Sequence, residues 1–271
     1  MKQLEKLNDI DFDFKKRFGQ NFIFDTNLLT AIVADSGIND EDFVVEVGAG
    51  AGTLTKELAK KAWRVLSYEI DTELSQVLSD IKLEHDNLEI VFGDILKADL
   101  SKKIGDKPFK VVANLPYYIT TLVIFYFLAM PNLRSITVMV QKEVAERFVA
   151  NKNTASYGAV TAQLTVYGEP KITRVVSRKL FMPPPNVDSA IVRLDINKRA
   201  GVNDYAVLQK LIAAAFAMRR KTLANNLMAG FGMTREKAVE LLAKCGIGEN
   251  VRGETLGIEE FVELANLMTN D

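Results

Sequence analysis

The sequence predicts an α/β protein, a doubly wound, Rossmann-like parallel sheet followed by a small all-helical C-terminal domain. Three observations predict it. Short runs of Val, Ile, Leu and Phe alternate with helix-length segments through the first half, and a glycine-rich turn follows the first such run. Beyond about Lys198 the periodicity is helical throughout.

The runs Phe43 to Gly48, Trp63 to Ile70, Leu88 to Asp94, Phe109 to Leu115 and Ser135 to Gln141 read as strands. Most are almost continuously apolar, as parallel strands buried on both faces are. Leu54 to Ala62 and Thr72 to Leu83 read as the intervening helices, so the chain alternates β and α with right-handed crossovers. Tyr157 to Tyr167 is again helical. PKITRVVSRKLF and Ser189 to Ile196 then add a hairpin at one sheet edge, with the rigid MPPPN run between them. DYAVLQKLIAAAFAMR, KTLANNLMAG, TREKAVELLAKC and IEEFVELANLM give about four helices split by glycine turns. This places a catalytic domain at 1–197 and a helical domain at 198–271.

Composition narrows the function. The 271 residues carry 34 Lys and Arg against 35 Asp and Glu, a net charge of −1. Any nucleic-acid contact must therefore come from local basic clusters and not from an overall positive field. No window reaches the ~20 apolar residues of a membrane span, and Leu122 to Met130 is half that length. The charged N-terminal stretch has no signal-peptide core, so the expectation is a cytoplasmic protein with no membrane partner. Cys245 is the only cysteine and His85 the only histidine. That removes disulfides, most zinc sites and every Cys–His or Ser–His relay, leaves no metal site to expect, and argues against attack on a pyrimidine C5 by a cysteine. Cys245 reads as a small core residue at a helix end, and His85 as a solvated turn residue.

VVEVGAGAGTLT places Gly48, Gly50 and Gly52 between a strand and a helix. Small residues there admit a ligand close to the backbone. The spacing is G-x-G-x-G, not the G-x-G-x-x-G of a dinucleotide site, and Glu46 before it suits a zwitterionic or cationic ligand better than a diphosphate. A tight structural turn would have the same composition. Glu69 closes the second strand roughly twenty residues after the first glycine, where a carboxylate can accept both hydroxyls of a ribose. Asp94 closes the third strand and Asn114 the fourth. A lone strand-end Asp is commonly a cap, but polar residues at the ends of consecutive parallel strands face one crevice.

NLPY, Asn114 to Tyr117, is the most specific element. An exocyclic adenine nitrogen is a poor nucleophile because its lone pair is delocalised into the ring. Two acceptors on its N–H groups localise that pair, and the Asn114 side-chain oxygen with the Leu115 carbonyl would serve. Pro116 biases Leu115 away from helical conformation, and Tyr117 can stack on a flipped base. The same four residues also make an Asn-Pro turn.

With KRFGQNFI, VVEVGAGAGTLT, YEID, GDIL, VVANLPYYITT, VMVQKEVAERF, YGAVTAQ, FMPPPNVDSAIVRL and FAMRRKTLANNL, the chain resembles bacterial small-subunit ribosomal RNA adenine-N6 dimethyltransferases along nearly its whole length. The last three segments lie outside the cofactor core and carry the family. The resemblance implies a Rossmann-like methyltransferase sheet and S-adenosylmethionine as cofactor. It further implies N6-dimethylation of adjacent adenosines near the 3′ end of small-subunit ribosomal RNA in a pre-30S particle, during ribosome biogenesis, by a monomer. It implies that Gln20 to Ile23 folds over the cofactor, with Asn21 and Ile23 in contact. Gly48 would face the methionine part, Glu69 the ribose and Asp94 the adenine amine. Asn114 would lie between cofactor and target, and Phe181 would form a second aromatic wall of the base pocket. Ile23 replaces the family's more usual leucine, a volume-conserving exchange. The low net charge departs from the family's basic character.

Arg219, Arg220 and Lys221, at the start of the second C-terminal helix, are candidate RNA contacts. So are Lys15, Lys16 and Arg17 beside Phe14 and Phe18, and Arg174, Arg178 and Lys179, although each cluster reads equally as a solvated face. The alternatives are a large-subunit dimethyltransferase of the macrolide-resistance type, a protein-glutamine methyltransferase, and an assembly factor without chemistry. The segments FMPPPNVDSAIVRL and FAMRRKTLANNL, Leu115 in place of proline, and the intact Glu69, Asp94 and NLPY weigh against them in turn.

Overall fold

The computed structural model describes residues 21–270. The chain forms two compact units, one from residues up to 145 with 171–196, the other from 146–170 with 197–271.

The first unit opens with strand β1 (Phe22–Ile23) and helix α1 (Thr26–Asp35), whose N-cap Asp25 accepts the Leu28 N–H at 2.7 Å. Strands and helices then alternate as β2 (Phe43–Val47), α2 (Thr53–Lys61), β3 (Arg64–Glu69), α3 (Ser75–Leu83), β4 (Leu88–Phe92), the single turn α4 (Ser101–Ile104), β5 (Phe109–Asn114), α5 (Thr120–Leu128) and β6 (Leu133–Gln141). The expected parallel core is present. Its strands stop at Val47, Glu69, Phe92 and Asn114, one or two residues inside the ends of the sequence runs.

β7 (Lys171–Val176), the short β8 (Phe181–Met182) and β9 (Ser189–Asp195) complete the unit. The seven-stranded sheet runs β4-β3-β2-β5-β6-β9-β7, parallel through β6, with β9 antiparallel to β6 and β7 antiparallel to β9. The hairpin at the sheet edge is therefore β7 with β9. Its register shifts between Ile172 and Arg174, and Arg174 pairs with Asp35 at 3.2 Å. Separately, β1 and β8 form a two-stranded antiparallel ladder with Phe22 opposite Met182 and Ile23 opposite Phe181.

Burial follows the apolar runs. All five residues of β2 are buried, and the apolar helix α5 buries Val123, Ile124, Phe127 and Leu128, with Phe127 6.1 Å from the Phe109 ring. Among the described residues no helix is long and apolar enough to cross a membrane.

α6 (Lys142–Phe148) contains the crossing at 145 into the second unit, which continues with α7 (Ala159–Tyr167), α8 (Tyr205–Ala217), α9 (Leu223–Phe231), α10 (Arg235–Lys244) and α11 (Ile258–Asn270). A single boundary at 197 thus needs correction, because residues 146–170 belong with the C-terminal helices. Two tyrosines give the reason. The Tyr157 hydroxyl donates to the Leu256 carbonyl at 2.9 Å with its ring 5.7 Å from Phe216, and the Tyr167 hydroxyl accepts from Gln209. Asp204, Thr222 and Thr234 cap α8, α9 and α10 through side-chain oxygens, as helix starts require. Cys245 is half-buried at the C-cap of α10 and not in the core, and His85 is half-buried, still partly open to solvent.

Glu46 is the one acidic residue inside β2, fully buried, with the Ser67 hydroxyl donating to it at 2.5 Å. Burial outweighs the pull of the Ser67 and Thr55 hydroxyls and pushes its pKa up to about 7. A carboxyl whose pKa is higher folded than unfolded holds its proton more tightly when folded. Its contribution to stability therefore falls as pH rises from the ordinary carboxyl range through 7. Glu46→Gln keeps an acceptor for Ser67 and cannot ionise. It should gain on the wild type by up to about 3 kcal/mol between about pH 5 and pH 8. Urea unfolding at both pH values measures this, and a difference that does not change with pH would contradict the raised pKa.

Candidate active site

A cleft of about 280 Å³ opens at the carboxyl ends of β2 to β5, where the strand order reverses about β2. Gly48, Gly50, Glu69, Asp94, Asn114 and Tyr117 are among the residues that line it. Polar residues ending successive apolar strands do converge on one space.

The glycine loop owes its shape to backbone conformations that side chains disfavour. Gly50 has φ +56°, and a Cβ there would lie 3.0 Å from the Phe22 ring. Gly52 has φ +73° at the N-cap of α2, and a Cβ there would lie 2.2 Å from Ile81 Cδ1. Both positions need glycine. The Gly50 N–H donates to Glu69 Oε2 at 2.7 Å, and the Asp71 N–H donates to Oε1 at 2.8 Å. The Glu69 carboxyl is 5% exposed, and burial raises its pKa against the opposing pull of these backbone donors. A carboxylate has about four acceptor sites, so the backbone donors Gly50, Asp71 and Ile70 leave room for a hydroxyl.

Asp94 is both a cap and a cleft residue. Its Oδ1 accepts the Leu96 N–H at 3.0 Å at the start of a 3-10 turn (Ile95–Lys97), and Oδ2 lies 3.8 Å from Lys97 Nζ.

Asn114 ends β5 half-buried, and its Nδ2 donates to the Asn21 carbonyl at 3.1 Å. Its amide oxygen is thereby turned away from Asn21. The Pro116 carbonyl is occupied by the Ile119 N–H and the Thr120 hydroxyl, each at 3.2 Å. NLPY is thus a genuine turn that also lines the cleft. The Tyr117 hydroxyl shares a 2.7 Å hydrogen bond with Ser189 of β9, and burial raises its pKa. Asn21, Phe22 and Ile23 cover the glycine loop, held by the β8 ladder and by the Thr53 hydroxyl, which donates to the Ile23 carbonyl at 2.7 Å.

Residues 11–270 match the ribosomal RNA adenine dimethylase family. The chain belongs to this family. It is 44% identical to ribosomal RNA small subunit methyltransferase A of Caldanaerobacter subterraneus subsp. tengcongensis, over 94% of this chain and 97% of that protein. It is 43% identical to the protein of the same name from Listeria welshimeri, over 99% and 95%. A dimethyladenosine transferase from Plasmodium falciparum shares the fold with a TM-score of 0.80 at 24% identity, covering 92% of this chain and 98% of that one. The 23S rRNA methyltransferase ErmE has a TM-score of 0.69 at 29% identity, covering 91% and 98%. The small-subunit relatives are thus nearer in sequence than this large-subunit one.

In this dimethylase-family chain several expected site residues lie elsewhere. Phe181 is 5% exposed and packed in the core, and it does not line the cleft. It pairs with Ile23 in the β8–β1 ladder, which sets it beside the covering segment. Glu46 likewise does not line the cleft; its carboxyl meets Ser67 inside the sheet. Arg219, Arg220 and Lys221 are exposed in the turn between α8 and α9, not in a helix, because the Lys221 N–H closes a turn on the Met218 carbonyl at 2.9 Å. Arg219 also donates to the Ala155 carbonyl at 3.2 Å. Arg174 is paired with Asp35, and Arg178 donates to the Asn186 carbonyl, a neutral acceptor. Lys15, Lys16, Arg17, Phe14, Phe18 and Gln20 lie outside the described residues. Ser189, Thr53 and Phe22 escaped notice in the sequence. Their partners Tyr117, Ile23 and Gly50 are distant along the chain, and no local pattern marks them.

Proposed function

We propose that this chain uses S-adenosylmethionine to dimethylate N6 of adjacent adenosines near the 3′ end of small-subunit ribosomal RNA. The cofactor suits the cleft on two structural grounds. The glycine loop is a cradle that side chains would fill, and the Glu69 and Asp94 carboxylates have acceptor capacity beyond their backbone bonds. In this reading Glu69 holds the ribose hydroxyls, Asp94 the adenine amine and Gly48 borders the methionine part, while Asn21 and Ile23 lie across the cofactor. Bound there, S-adenosylmethionine supplies a methyl group activated by a positively charged sulfur.

The observation that carries the reading is the oriented amide of Asn114. Its NH₂ end is spent on Asn21, so its oxygen is the end that can accept from a target amine. With the Leu115 carbonyl as second acceptor, the nitrogen lone pair is localised for attack without a general base. Tyr117, its hydroxyl held by Ser189, offers its ring to the extruded base.

The net charge of −1 gives this chain little general attraction for RNA. A pre-30S particle that presents the target helix already folded is the fitting substrate, and the enzyme acts on it as a cytoplasmic monomer. Transfer to protein-free ribosomal RNA at the same rate would argue against the particle, and a dimer in sedimentation against the monomer. Arg219, Arg220 and Lys221 form the exposed basic turn proposed to meet phosphate.

Glu69→Ala should fold and bind S-adenosylmethionine more weakly by about 1.5–3 kcal/mol, the worth of charge-assisted hydrogen bonds. Calorimetry with unchanged affinity in a folded variant would remove Glu69 from the site. Replacing Arg220 and Lys221 by alanine should leave cofactor affinity intact and reduce the slope of log K for particle binding against log salt by roughly 0.7–0.9 per lost phosphate contact. An unaltered slope places both residues in solvent only. Asn114→Ala should bind particles yet lose roughly 10²–10³-fold in single-turnover transfer, by analogy with loss of one preorganised donor elsewhere. Reverse-transcriptase stops on undermethylated particles report the product, and near wild-type transfer by this variant would refute the mechanism.

A further inference from the structure

The ties that hold Asn21 to Ile23 also reach the chemistry. An asparagine amide has a donor end and an acceptor end of almost the same shape, and little but its hydrogen bonds distinguishes them. A target amine needs the acceptor. The Asn21 carbonyl can bond only the NH₂ end of Asn114, and the 3.1 Å contact between them selects the orientation with the oxygen turned away from Asn21. What fixes the Asn21 carbonyl in turn is the anchorage of its own segment.

That anchorage is specific. The β8 ladder pairs Phe22 and Ile23 from one side, and the Phe22 ring lies against Gly50. From the other side the half-buried Thr53, first residue of α2, donates its hydroxyl to the Ile23 carbonyl at 2.7 Å. Ile23 is two residues from Asn21, so a shift of one carbonyl is transmitted to the other with little slack. Thr53 starts a helix whose position is set by the sheet, so its hydroxyl is a fixed point for the two-residue β1.

We propose that Thr53 is a positioning residue for methyl transfer: by seating the Ile23 carbonyl, it holds the Asn21 carbonyl against the Asn114 amide and so determines which end of that amide meets the target nitrogen. The proposal rests on the reading of Asn114 as the acceptor for the target amine. The covering segment therefore both encloses the cleft and sets the reactive geometry.

Thr53→Val keeps the shape and removes the donor, while Thr53→Ser keeps the donor. Each is compared with the wild type in single-turnover transfer at saturating S-adenosylmethionine and undermethylated small-subunit particles, with cofactor affinity measured by calorimetry. Thr53→Val should lose about threefold to tenfold in rate at saturation, the worth of one neutral hydrogen bond, and Thr53→Ser should restore it. The ¹⁵N side-chain amide signals of Asn114, assigned by their disappearance in Asn114→Ala, should shift or broaden in Thr53→Val and not in Thr53→Ser. If Thr53→Val proves unstable, Thr53→Ala carries the same comparison.

A wild-type rate at saturation in Thr53→Val, with any loss confined to cofactor affinity, overturns the proposal and leaves Thr53 as part of a cover. An equal loss in Thr53→Ser overturns it too, since the hydroxyl would then not be responsible. Failure of the underlying reading looks different: Asn114→Ala itself would transfer methyl normally.

Discussion

The buried carboxylate of Glu69 is the interaction on which the site depends. It stands at the end of β3 and receives the Gly50 N–H from the loop after β2 and the Asp71 N–H from its own turn. A carboxylate removed from water is costly unless charged or polar partners meet it. Here the backbone donors supply those partners, and in return the carboxylate fixes the loop's path. The left-handed turns at Gly50 and Gly52 follow from that path, and so does the placement of α2 with Thr53 at its start. Loss of this one side chain would loosen the cradle as well as remove an acceptor.

The parallel core was legible because strands buried on both faces leave nearly continuous apolar runs that alternate with helix-length segments. Glu69, Asp94 and Asn114 were legible for a related reason: a polar residue ending an apolar strand has nowhere to go but the crevice. The features that were not legible share one property, dependence on partners far along the chain. The pairing of Phe181 with Ile23, far earlier in the chain, leaves no mark in the local pattern. Glu46 reads as ligand-facing until the register places it beside Ser67 of the neighbouring strand. The run Arg219 to Lys221 favours helix by local propensity, yet the chain turns there and a new cap at Thr222 restarts the helix. The domain boundary was hidden in the same way, since Tyr157 and Tyr167 join the C-terminal helices through hydroxyl and ring contacts that no periodicity records.

The cleft divides into a fixed part and a clasped part. Strand ends hold Glu69 and Asn114, each rooted in a buried sheet. The covering residues Asn21 to Ile23 are clasped instead by a two-residue ladder, by side-chain bonds to Thr53 and Asn114 and by the packing of Phe22. Tyr117 belongs to the fixed part, because its hydroxyl is tied to β9 near the centre of the other half of the sheet.

The far edge of the sheet has a bearing on how the molecule behaves in company. β7 ends the sheet among the described residues, and an edge strand of this kind is a template for pairing with another chain. Lys171 and Arg174 place charge along that border, and the slip in register between Ile172 and Arg174 spoils the regular spacing a docking strand would require. The clamp of Asp35 on Arg174 keeps one of those charges at the rim. A long β-sheet with an open end is a template for fibres, and this one is blunted by its own irregularity.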